Sequence, residues 1–588
     1  MTVVVGELTA DQQEIVVIAA GDLLVTRYRV PRKLMHLTPQ VKQSEPPGAF
    51  IIPTSWAAVV QLSTEFGEAW RPGPRLTTWI AEQVKARTEH GHGLTYTPPG
   101  GLTPYPWQVE GARLIAATGR ALISDEAGTG KTITTILGLI ERGGGERPPE
   151  PVLVVAPASV VDSWVEAWQT WAPHLRTVAW RGTRAKRHAL AGTADVYVTS
   201  YDTARMDAQP YGTKGGTVLL DLKPRAVVAD EHHYVKNHRA ARSLAVRRLA
   251  AQAEVVVALS GTPITHNPAD LWPALVALDP VAWPSRQRWI ERYCDTYTGA
   301  YTEEVLGLNK YREPEFRTTL LGQHRRVAKA DVLAQLPPKV YSVRTVDLPP
   351  EYRKAYDEME RDMLAKLPDG GEISVMSVLA QLTRLSQMAS AAADVQVTVE
   401  EDEEGRPHEH VNVRLKAPSW KVDVLLEILA ERPGQPVVAF APSRQLIMLA
   451  GQAAEKAGYK VGYIVGDQTP SERTRTVELF QAGKLDLACV TTGAGGVGLT
   501  LTAARTAVFL QRPWSIVEAT QAEDRIHRIG SERHDSVEII DIVARNTIDS
   551  RVREVLREKA DQLADLVQDK RIVTQLLGGD RNRSKKGD

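Results

Sequence analysis

The sequence predicts an α/β protein with two parallel-sheet units in tandem, and two observations carry this prediction. Short apolar runs rich in valine and isoleucine recur along the chain, and a polar or glycine-containing turn follows each run. Helix-like stretches lie between the runs, as at 159–171, where tryptophans recur at helical spacing. Continuous apolar strands that alternate with helices are typical of a parallel sheet covered on both faces. In such sheets, ligands bind at the carboxyl ends of the strands.

The apolar runs fall into two series, which is why two units are predicted rather than one. The first series is ALIS at 121, VLVVAP at 152, DVYVTS at 195, RAVVAD at 225 and VVVALS at 255. The second series begins near 436 and consists of PVVAFAP, VGYIVGD, LDLACVTT, TAVFLQ and VEIIDIV.

Between the two series, residues 340–420 predict a helical connector that carries a hairpin. Residues 350–367 have the composition of a charged helix. Apolar and polar residues alternate at 395–399 and again at 411–415, around the acidic stretch EEDEEGRP. This alternation indicates a β-hairpin with an acidic tip. The alternative is a disordered acidic loop.

Composition restricts the class of protein but not its partner. The chain has 588 residues, 43% apolar and 24% charged, which is typical of soluble globular proteins. The 71 basic and 71 acidic residues balance, so net charge favours no partner and any basic surface must be local. Two cysteines cannot form a disulfide framework and predict a reducing compartment. Because no signal peptide or membrane-length apolar run occurs, we expect a cytoplasmic protein with no membrane partner.

Residues 123–132, ISDEAGTGKT, predict a phosphate-binding loop between a strand and a helix. Glycines let backbone N–H groups approach a triphosphate, and the N-terminus of the following helix favours the anion. Lys131 can reach the β and γ phosphates, and the Thr132 hydroxyl can bind Mg²⁺. The usual pattern G-x-x-x-x-G-K-[ST] has a glycine where Asp125 stands. The alternative interpretation is a glycine-rich turn.

The segment DEHH at 230–233 supplies the carboxylates that a nucleotide site needs. Asp230 can hold Mg²⁺ through water, and Glu231 can position and deprotonate the attacking water. The alternative is that the two acids cap a helix. His232 and His233 have no partner ligands at zinc spacing, which argues against a zinc site.

The segment QAEDRIHRIG at 521–530 supplies two arginines in the second series. Arg525 and Arg528 are three residues apart, so we expect them to share one helix face. Positive charge stabilises the transition state of phosphoryl transfer, often as an arginine finger. The alternative is a solvated basic helix. With the loop in one unit and the arginines in the other, the sequence predicts a site that is completed when the units close.

In this order the motifs resemble those of the SWI/SNF-type DNA-dependent ATPases and translocases of helicase superfamily two, over roughly residues 100–560. The phosphate loop of that family begins with D-E, as in DEAGTGKT here, so Asp125 is a family trait. The resemblance implies two RecA-like lobes, ATP and Mg²⁺ as cofactors, and sequence-independent binding of duplex or branched DNA. Departures at Ala127, Thr129, Gln511 and Ser531 suggest a divergent branch, bacterial or from a bacteriophage.

The resemblance also implies roles for individual residues. The catalytic residues are expected to be Lys131, Asp230, Glu231, Arg525 and Arg528. The residues expected to bind ATP are Gln108 (adenine), Asp125, Glu126, Ala127, Gly128, Thr129, Gly130, Lys131 and Thr132. Coupling is expected from His233, Ser260 and Thr262. DNA contacts are expected from Ser159, Thr199, Lys236 and Thr491. The alternative role of the serine and threonine hydroxyls is turn capping.

The predicted organisation has five segments. They are an accessory module (1–95), an ATP-binding lobe (96–335), the connector with its hairpin (336–420), a second lobe (421–565) and a basic tail (566–588). We expect an ATP-dependent DNA translocase acting in replication, repair or recombination. The alternatives are an ATPase that displaces proteins such as RNA polymerase from DNA, and a nucleotide-gated DNA-binding switch.

The accessory module has the least specific sequence. Its Trp56 and Trp70 can either stack on nucleic acid or belong to a core. The module is also a candidate site for a protein partner.

Overall fold

The computed structural model divides the chain into two compact units, residues 1–332 and 333–588. It describes residues 3–20, 29–43, 49–89, 91, 93–210, 216–261, 268–298, 303–332, 336–365, 383–401, 407–493, 499–513, 516–528 and 530–550. No helix within these ranges combines the length and the apolar character that a membrane crossing requires.

The first unit begins with a small mixed sheet. Its strands are β1 (Val3–Leu8), β2 (Glu14–Ala20), β3 (Lys42–Gln43), β4 (Ala49–Pro53) and β5 (Trp70–Pro72), in the order β3-β4-β2-β1-β5. Its helices are α1 (Val30–Met35), α2 (Trp56–Phe66) and α3 (Pro74–Thr88). The apolar residues of β1 and β2 point alternately into one core.

Both tryptophans of this N-terminal region are core residues. Trp56 and Trp70 are buried, and the Trp56 indole donates a hydrogen bond to the Thr318 carbonyl (2.8 Å). Elsewhere in the same unit, Arg292 pairs with Glu65 (3.1 Å) and with Glu315 (2.7 Å). The alternative in which the two tryptophans form a core is therefore the correct one.

A seven-stranded parallel sheet forms the centre of the first unit. Its first six strands are β6 (Arg120–Ile123), β7 (Val152–Ala156), β8 (Thr177–Ala179), β9 (Val196–Ser200), β10 (Ala226–Ala229) and β11 (Val255–Leu259). A separate hairpin follows, formed by β12 (Cys294–Thr298) and β13 (Glu303–Leu308), and then the seventh strand, β14 (His324–Arg325). The order is β14-β6-β11-β10-β7-β9-β8. Every residue of β7, β10 and β11 is buried, as a sheet covered on both faces requires.

Helices connect and cover these strands. They are α4 (Pro106–Thr118), α5 (Lys131–Arg142), α6 (Val161–Trp171), α7 (Arg184–Leu190), α8 (Tyr201–Asp207), α9 (Val218–Asp221), α10 (Ala241–Gln252), α11 (Trp272–Leu278), α12 (Arg286–Tyr293), α13 (Glu313–Thr319) and α14 (Lys329–Val332). All five predicted strands of the first series, and the predicted helices after 130 and 160, are present.

A second parallel sheet, of six strands, forms the centre of the second unit. The unit begins with the first strand of this sheet, β15 (Lys339–Val346), and the helix α15 (Pro350–Ala365). A separate antiparallel hairpin follows, formed by β16 (Ala392–Glu401) and β17 (Pro407–Lys416). The remaining strands are β18 (Val437–Ala441), β19 (Val461–Ile464), β20 (Leu487–Thr491), β21 (Thr506–Phe509) and β22 (Val537–Ala544), and the order is β15-β22-β21-β18-β20-β19. The remaining helices are α16 (Trp420–Ala430), α17 (Arg444–Lys456), α18 (Pro470–Gln481) and α19 (Ile516–Glu523).

The predicted α/β class, with two parallel sheets in tandem, is thus confirmed. The five strands of the second series and the charged helix at 350–365 are present, and the β16–β17 pairing confirms the predicted hairpin. The acidic tip at 402–406 and the basic tail lie outside the described residues. The five-segment division of the chain stays a prediction.

Three strands of the two parallel sheets, β8, β14 and β15, were not predicted from the sequence. All three lie at sheet edges. An edge strand has a partner on one side only and part of it faces solvent, so it needs no continuous apolar run. Arg325 ends the edge strand β14 of the first unit, and Lys339 begins the edge strand β15 of the second unit.

Candidate nucleotide site

The phosphate loop lies between β6 and α5. Gly128 and Gly130 have φ values of 87° and 90°, a region that favours glycine. Helix α5 begins at Lys131, so its N-terminal N–H groups border the loop, as an anion site requires. The Lys131 ammonium donates hydrogen bonds to the carbonyls of Asp125 (2.8 Å) and Glu126 (3.3 Å), which holds it over the loop.

Helix α4 packs against the far side of this loop. The Gln108 amide and the Trp107 indole both donate to the Thr129 carbonyl, at 3.2 and 3.0 Å. A Cβ on Gly130 would lie 2.1 Å from Gln108 Nε2, so only glycine allows this approach. The Thr129 hydroxyl, a departure from the family pattern, donates to the Glu126 carbonyl (2.8 Å) and closes the turn.

The two acids that open the loop contact the segment after β14. Asp125 is buried, and its carboxylate oxygen Oδ1 lies 3.7 Å from Arg325 Nε. Burial raises the pKa of Asp125, although Arg325 and Lys131 oppose the shift. The Glu126 N–H donates to the Val327 carbonyl (3.0 Å), and the Glu126 carboxylate accepts from the Lys329 N–H (2.9 Å). The D-E pair therefore attaches 325–329 to the loop, which the sequence did not reveal.

The acid pair follows β10. Asp230 accepts hydrogen bonds from the Trp164 indole at Oδ2 (2.8 Å) and from the Glu231 N–H at Oδ1 (3.0 Å). Burial raises the pKa of Asp230 to about 6, and the neighbouring Glu231 carboxylate adds to the shift. Glu231 itself has φ of 49°, uncommon for a residue with a side chain and found preferentially at functional sites.

His233 connects the acid pair to the next strand end. Its Nδ1 lies 3.2 Å from Glu231 Oε2 and 3.4 Å from Ser260 Oγ. Ser260 follows β11, and its N–H donates to the Ile123 carbonyl at the end of β6 (3.1 Å). The structure thus brings together the predicted coupling residues His233 and Ser260, whereas Thr262 lies outside the described residues.

The other histidine of the segment has a different environment. Burial lowers the pKa of His232 to about 3, with a smaller effect from His233. His232 is therefore a neutral core residue at physiological pH.

The four predicted DNA-contacting residues differ in exposure. Ser159 is exposed in the turn after β7, and Lys236 is half-buried after the acid segment. Thr199 is fully buried, and its hydroxyl donates to the Trp180 carbonyl (3.0 Å). Thr491 is buried at the end of β20, with its hydroxyl 3.5 Å from the Ile464 carbonyl. Of the three hydroxyls only that of Ser159 is exposed, and the DNA role of all four residues stays a prediction.

The predicted helix face for the two arginines is wrong. Helix α19 ends at Glu523, so Arg525 and Arg528 lie in the turns that follow it. The Arg525 carbonyl accepts from the Leu501 N–H (2.9 Å) rather than from a helix turn. Arg528 Nη1 donates to the Leu499 carbonyl (3.4 Å), and burial lowers its pKa. The spacing alone could not reveal this because an i, i+3 pair suits a turn as well as a helix.

Comparison with known proteins finds two matching domain families. The SNF2-related domain matches residues 89–393, and the helicase conserved C-terminal domain matches residues 420–530. Mouse "DNA annealing helicase and endonuclease ZRANB3" is 26% identical, over 81% of this chain and 42% of its own length. "Putative ATP-dependent helicase/translocase YwqA" of Bacillus subtilis is 26% identical, over 78% of this chain and 47% of its own length. The chain spans less than half the length of these curated relatives.

A solved structure of the Sulfolobus solfataricus SWI2/SNF2 ATPase core in complex with dsDNA is also similar to this chain. It has a TM-score of 0.37 and 20% identity, and the match covers 82% of this chain and 98% of that one. The SNF2-related match alone spans just over half of the chain, and it contains the phosphate loop and the acid pair. The resemblance inferred from the sequence is confirmed, and the chain belongs to the SNF2-related family of helicase-like proteins.

Proposed function

We propose that the protein is an ATP-dependent DNA translocase that moves along or remodels DNA in replication, repair or recombination. One observation carries the proposal. An intact phosphate loop and a buried acid pair lie at the carboxyl edge of one parallel sheet, with β11 between their strands. Lys131 also lies close enough to Asp230 to favour its ionised form. Ligands bind at this edge in open α/β sheets.

The residues of the first unit suit ATP with Mg²⁺. The Thr132 hydroxyl and the Asp230 carboxylate are oxygen donors, and Mg²⁺ in nucleotide sites keeps several waters and few protein ligands. When bound, the ion supplies positive charge to the terminal phosphates. The Lys131 ammonium would exchange its loop carbonyls for phosphate oxygens, and Glu231 would accept a proton from the attacking water. The predicted part of Arg525 and Arg528 stays a prediction.

The DNA part of the proposal rests on family membership and on the predicted contacts. The names of the mouse and Bacillus relatives refer to a DNA annealing helicase and to a helicase/translocase. Contacts to the DNA phosphate backbone position a protein without reading the base sequence. We therefore expect sequence-independent binding that weakens steeply with salt. A cytoplasmic location, and a protein partner for residues 1–95, belong to the same proposal.

The test is steady-state ATP hydrolysis by the wild type and by Glu231→Gln. Each would be measured without nucleic acid and with single-stranded DNA, duplex DNA, forked DNA or RNA. Strong stimulation of the wild type by duplex or forked DNA, lost in the variant, is the expected result. Wild-type turnover that is indifferent to every nucleic acid would contradict the proposal.

A further inference from the structure

Two side chains from different helices donate hydrogen bonds to the same buried acid. The Trp164 indole on α6 donates to Asp230 Oδ2 (2.8 Å), and the Tyr201 hydroxyl on α8 donates to the Asp230 carbonyl oxygen (2.6 Å). All three residues are buried, and a third link joins the Asp230 N–H to the Val155 carbonyl (2.8 Å). The acid is therefore fixed at its side chain and at both polar groups of its backbone.

Each donor follows a segment predicted to contact DNA. Ser159 lies in the turn that leads from β7 into α6, and Trp164 is in the first half of that helix. Tyr201 is the first residue of α8, directly after Thr199 and Ser200 at the end of β9. Since β10, β7 and β9 are neighbours in the sheet, the two segments and the acid lie at one edge.

The chemistry of the donors suits an acid that must retain its charge. A buried carboxylate needs hydrogen bonds, and a cationic partner would supply them while cancelling the charge. The indole and the Glu231 N–H are neutral donors, so they orient the Asp230 carboxylate and leave its negative charge for a ligand.

We propose that Trp164 and Tyr201 are positioning residues that link two DNA-contacting segments to Asp230. A shift of either segment on binding DNA backbone would change the geometry of the acid, and so the affinity of the site for nucleotide with Mg²⁺. The link to DNA rests on the proposed function, whereas the positioning of Asp230 does not.

The first test compares Trp164→Phe with Trp168→Phe. Both tryptophans are buried on α6, at 1% and 0% exposure, but within the described residues the Trp168 indole nitrogen has no hydrogen-bond partner. The two changes remove a similar volume, and only the first removes a donor to the acid.

Two readouts would separate positioning from packing. The first is the affinity for a fluorescent ATP analogue, measured in EDTA and in Mg²⁺, each with and without duplex DNA. The second is the factor by which duplex DNA stimulates hydrolysis. We expect the gain in affinity from Mg²⁺ to be about tenfold smaller in Trp164→Phe than in the wild type, because the variant lacks roughly one hydrogen bond to a charged group. We expect it also to lose most of the effect of DNA on both readouts, while Trp168→Phe retains both.

The second test compares Tyr201→Phe with Tyr197→Phe. Tyr197 is buried on β9, and its hydroxyl accepts from the Ala194 N–H (3.0 Å), away from the acid. Tyr201→Phe should reduce the response to DNA by several-fold, and Tyr197→Phe should not.

Three outcomes are decisive. Equal losses in Trp164→Phe and Trp168→Phe would overturn the positioning of the acid. Weaker Mg²⁺-dependent binding with an unchanged DNA response would overturn the link to DNA. A wild type that does not respond to DNA would contradict the proposed function, and the Mg²⁺-dependent binding of the two tryptophan variants would still decide whether Trp164 positions Asp230.

Discussion

Two buried carboxylates, Asp230 in the first unit and Glu523 in the second, are held in opposite ways. In the first unit, Asp230 is held by the neutral indole of Trp164 and by a backbone N–H. In the second unit, Glu523 contacts Lys339 Nζ (3.1 Å), the Tyr341 hydroxyl (2.9 Å) and Arg512 Nη1 (2.8 Å). Asp230 is oriented by neutral donors, and Glu523 is paired with two cations.

The pKa values of the two acids differ accordingly. Burial raises the pKa of Asp230 to about 6, with a further contribution from Glu231. Burial also works against ionisation of Glu523, but Lys339 and Arg512 outweigh it and hold the pKa of Glu523 below its usual range. A buried acid whose pKa is raised is typical of a functional site, and a buried acid paired with cations is typical of a structural network.

The network of the second unit extends beyond one pair. Arg512 also contacts Asp541 Oδ1 (2.7 Å), and its guanidinium lies 4.2 Å from the centre of the Phe509 ring. Lys339 reaches Asp524 as well (3.5 Å), the residue before Arg525. These charges therefore fix the segment that leads into the arginines, whereas the contacts of Asp230 leave its charge for a ligand.

The largest expected effect comes from removing the one cation of the phosphate loop. Lys131→Ala should lower kcat for ATP hydrolysis by at least roughly a hundredfold, the loss typical of one charge-stabilising donor. The fold should persist, because the Lys131 ammonium donates only to loop carbonyls in this structure. Hydrolysis assays and thermal unfolding would check both points. Lys186→Ala, on the exposed face of α7, is the control, and equal losses in the two variants would contradict the assignment.

Breaking the network of the second unit should reduce stability rather than remove one catalytic group. Glu523→Gln removes the buried carboxylate that Lys339 and Arg512 share, and we expect a loss of about 3 kcal/mol. Urea unfolding would measure it. Glu431→Gln is the matched control, since Glu431 pairs with Arg344 at 2.7 Å but is exposed, and it should cost under about 1 kcal/mol. A similar cost for the two variants would contradict a structural role for the network.

The Glu523 effect should depend on pH in a definite direction. The folded-state pKa of Glu523 lies below the usual value of 4.5, so ionised Glu523 stabilises the folded protein above that pH. As pH falls toward the lower, folded-state pKa, both states bind the proton and the contribution is lost. The stability difference between wild type and Glu523→Gln should therefore be full at neutral pH and shrink below pH 4.5. A difference that grows with acidity would reverse the sign and contradict the account.

The smallest effect tests the close approach at the loop. Gly130→Ala places a Cβ 2.1 Å from Gln108 Nε2, at φ of 90°. Gly434→Ala has a similar φ of 71° but nothing within 4 Å, so it carries the backbone cost alone. A left-handed backbone costs roughly 1–2 kcal/mol of stability in both variants. Gly130→Ala should lose more stability than Gly434→Ala, and it should also lose nucleotide affinity. Calorimetric unfolding and nucleotide titration would measure both variants. Equal stability and equal nucleotide affinity would show that the contact with Gln108 does not require glycine at position 130.

The sequence predicted the inner strands of the two parallel sheets and missed three of their four edge strands, with β19 as the exception. Strands such as β7 and β10 are continuous apolar runs because both faces are covered, and this signal is visible without a structure. Strands β14 and β15 lie at sheet edges, and β15 is half-exposed, so they carry no such signal.

The same contrast holds for the site. Lys131, Asp230 and Glu231 could be proposed as site residues because the predicted chemistry requires local motifs. The indole of Trp164 could not, because its hydrogen bond to Asp230 spans 66 positions of the chain and only the paired strands bring the two together. Trp164 belongs to a stretch noted for helical periodicity, where a tryptophan is indistinguishable from an ordinary core residue until its nitrogen is located.

The most direct test of the proposed translocase is displacement of a third strand from a DNA triplex. The substrate would be a blunt duplex carrying a labelled third strand, so that release requires movement along the duplex and not strand separation. We predict ATP-dependent release by the wild type and none by Glu231→Gln. ATP hydrolysis by the wild type without release of the third strand would contradict the account.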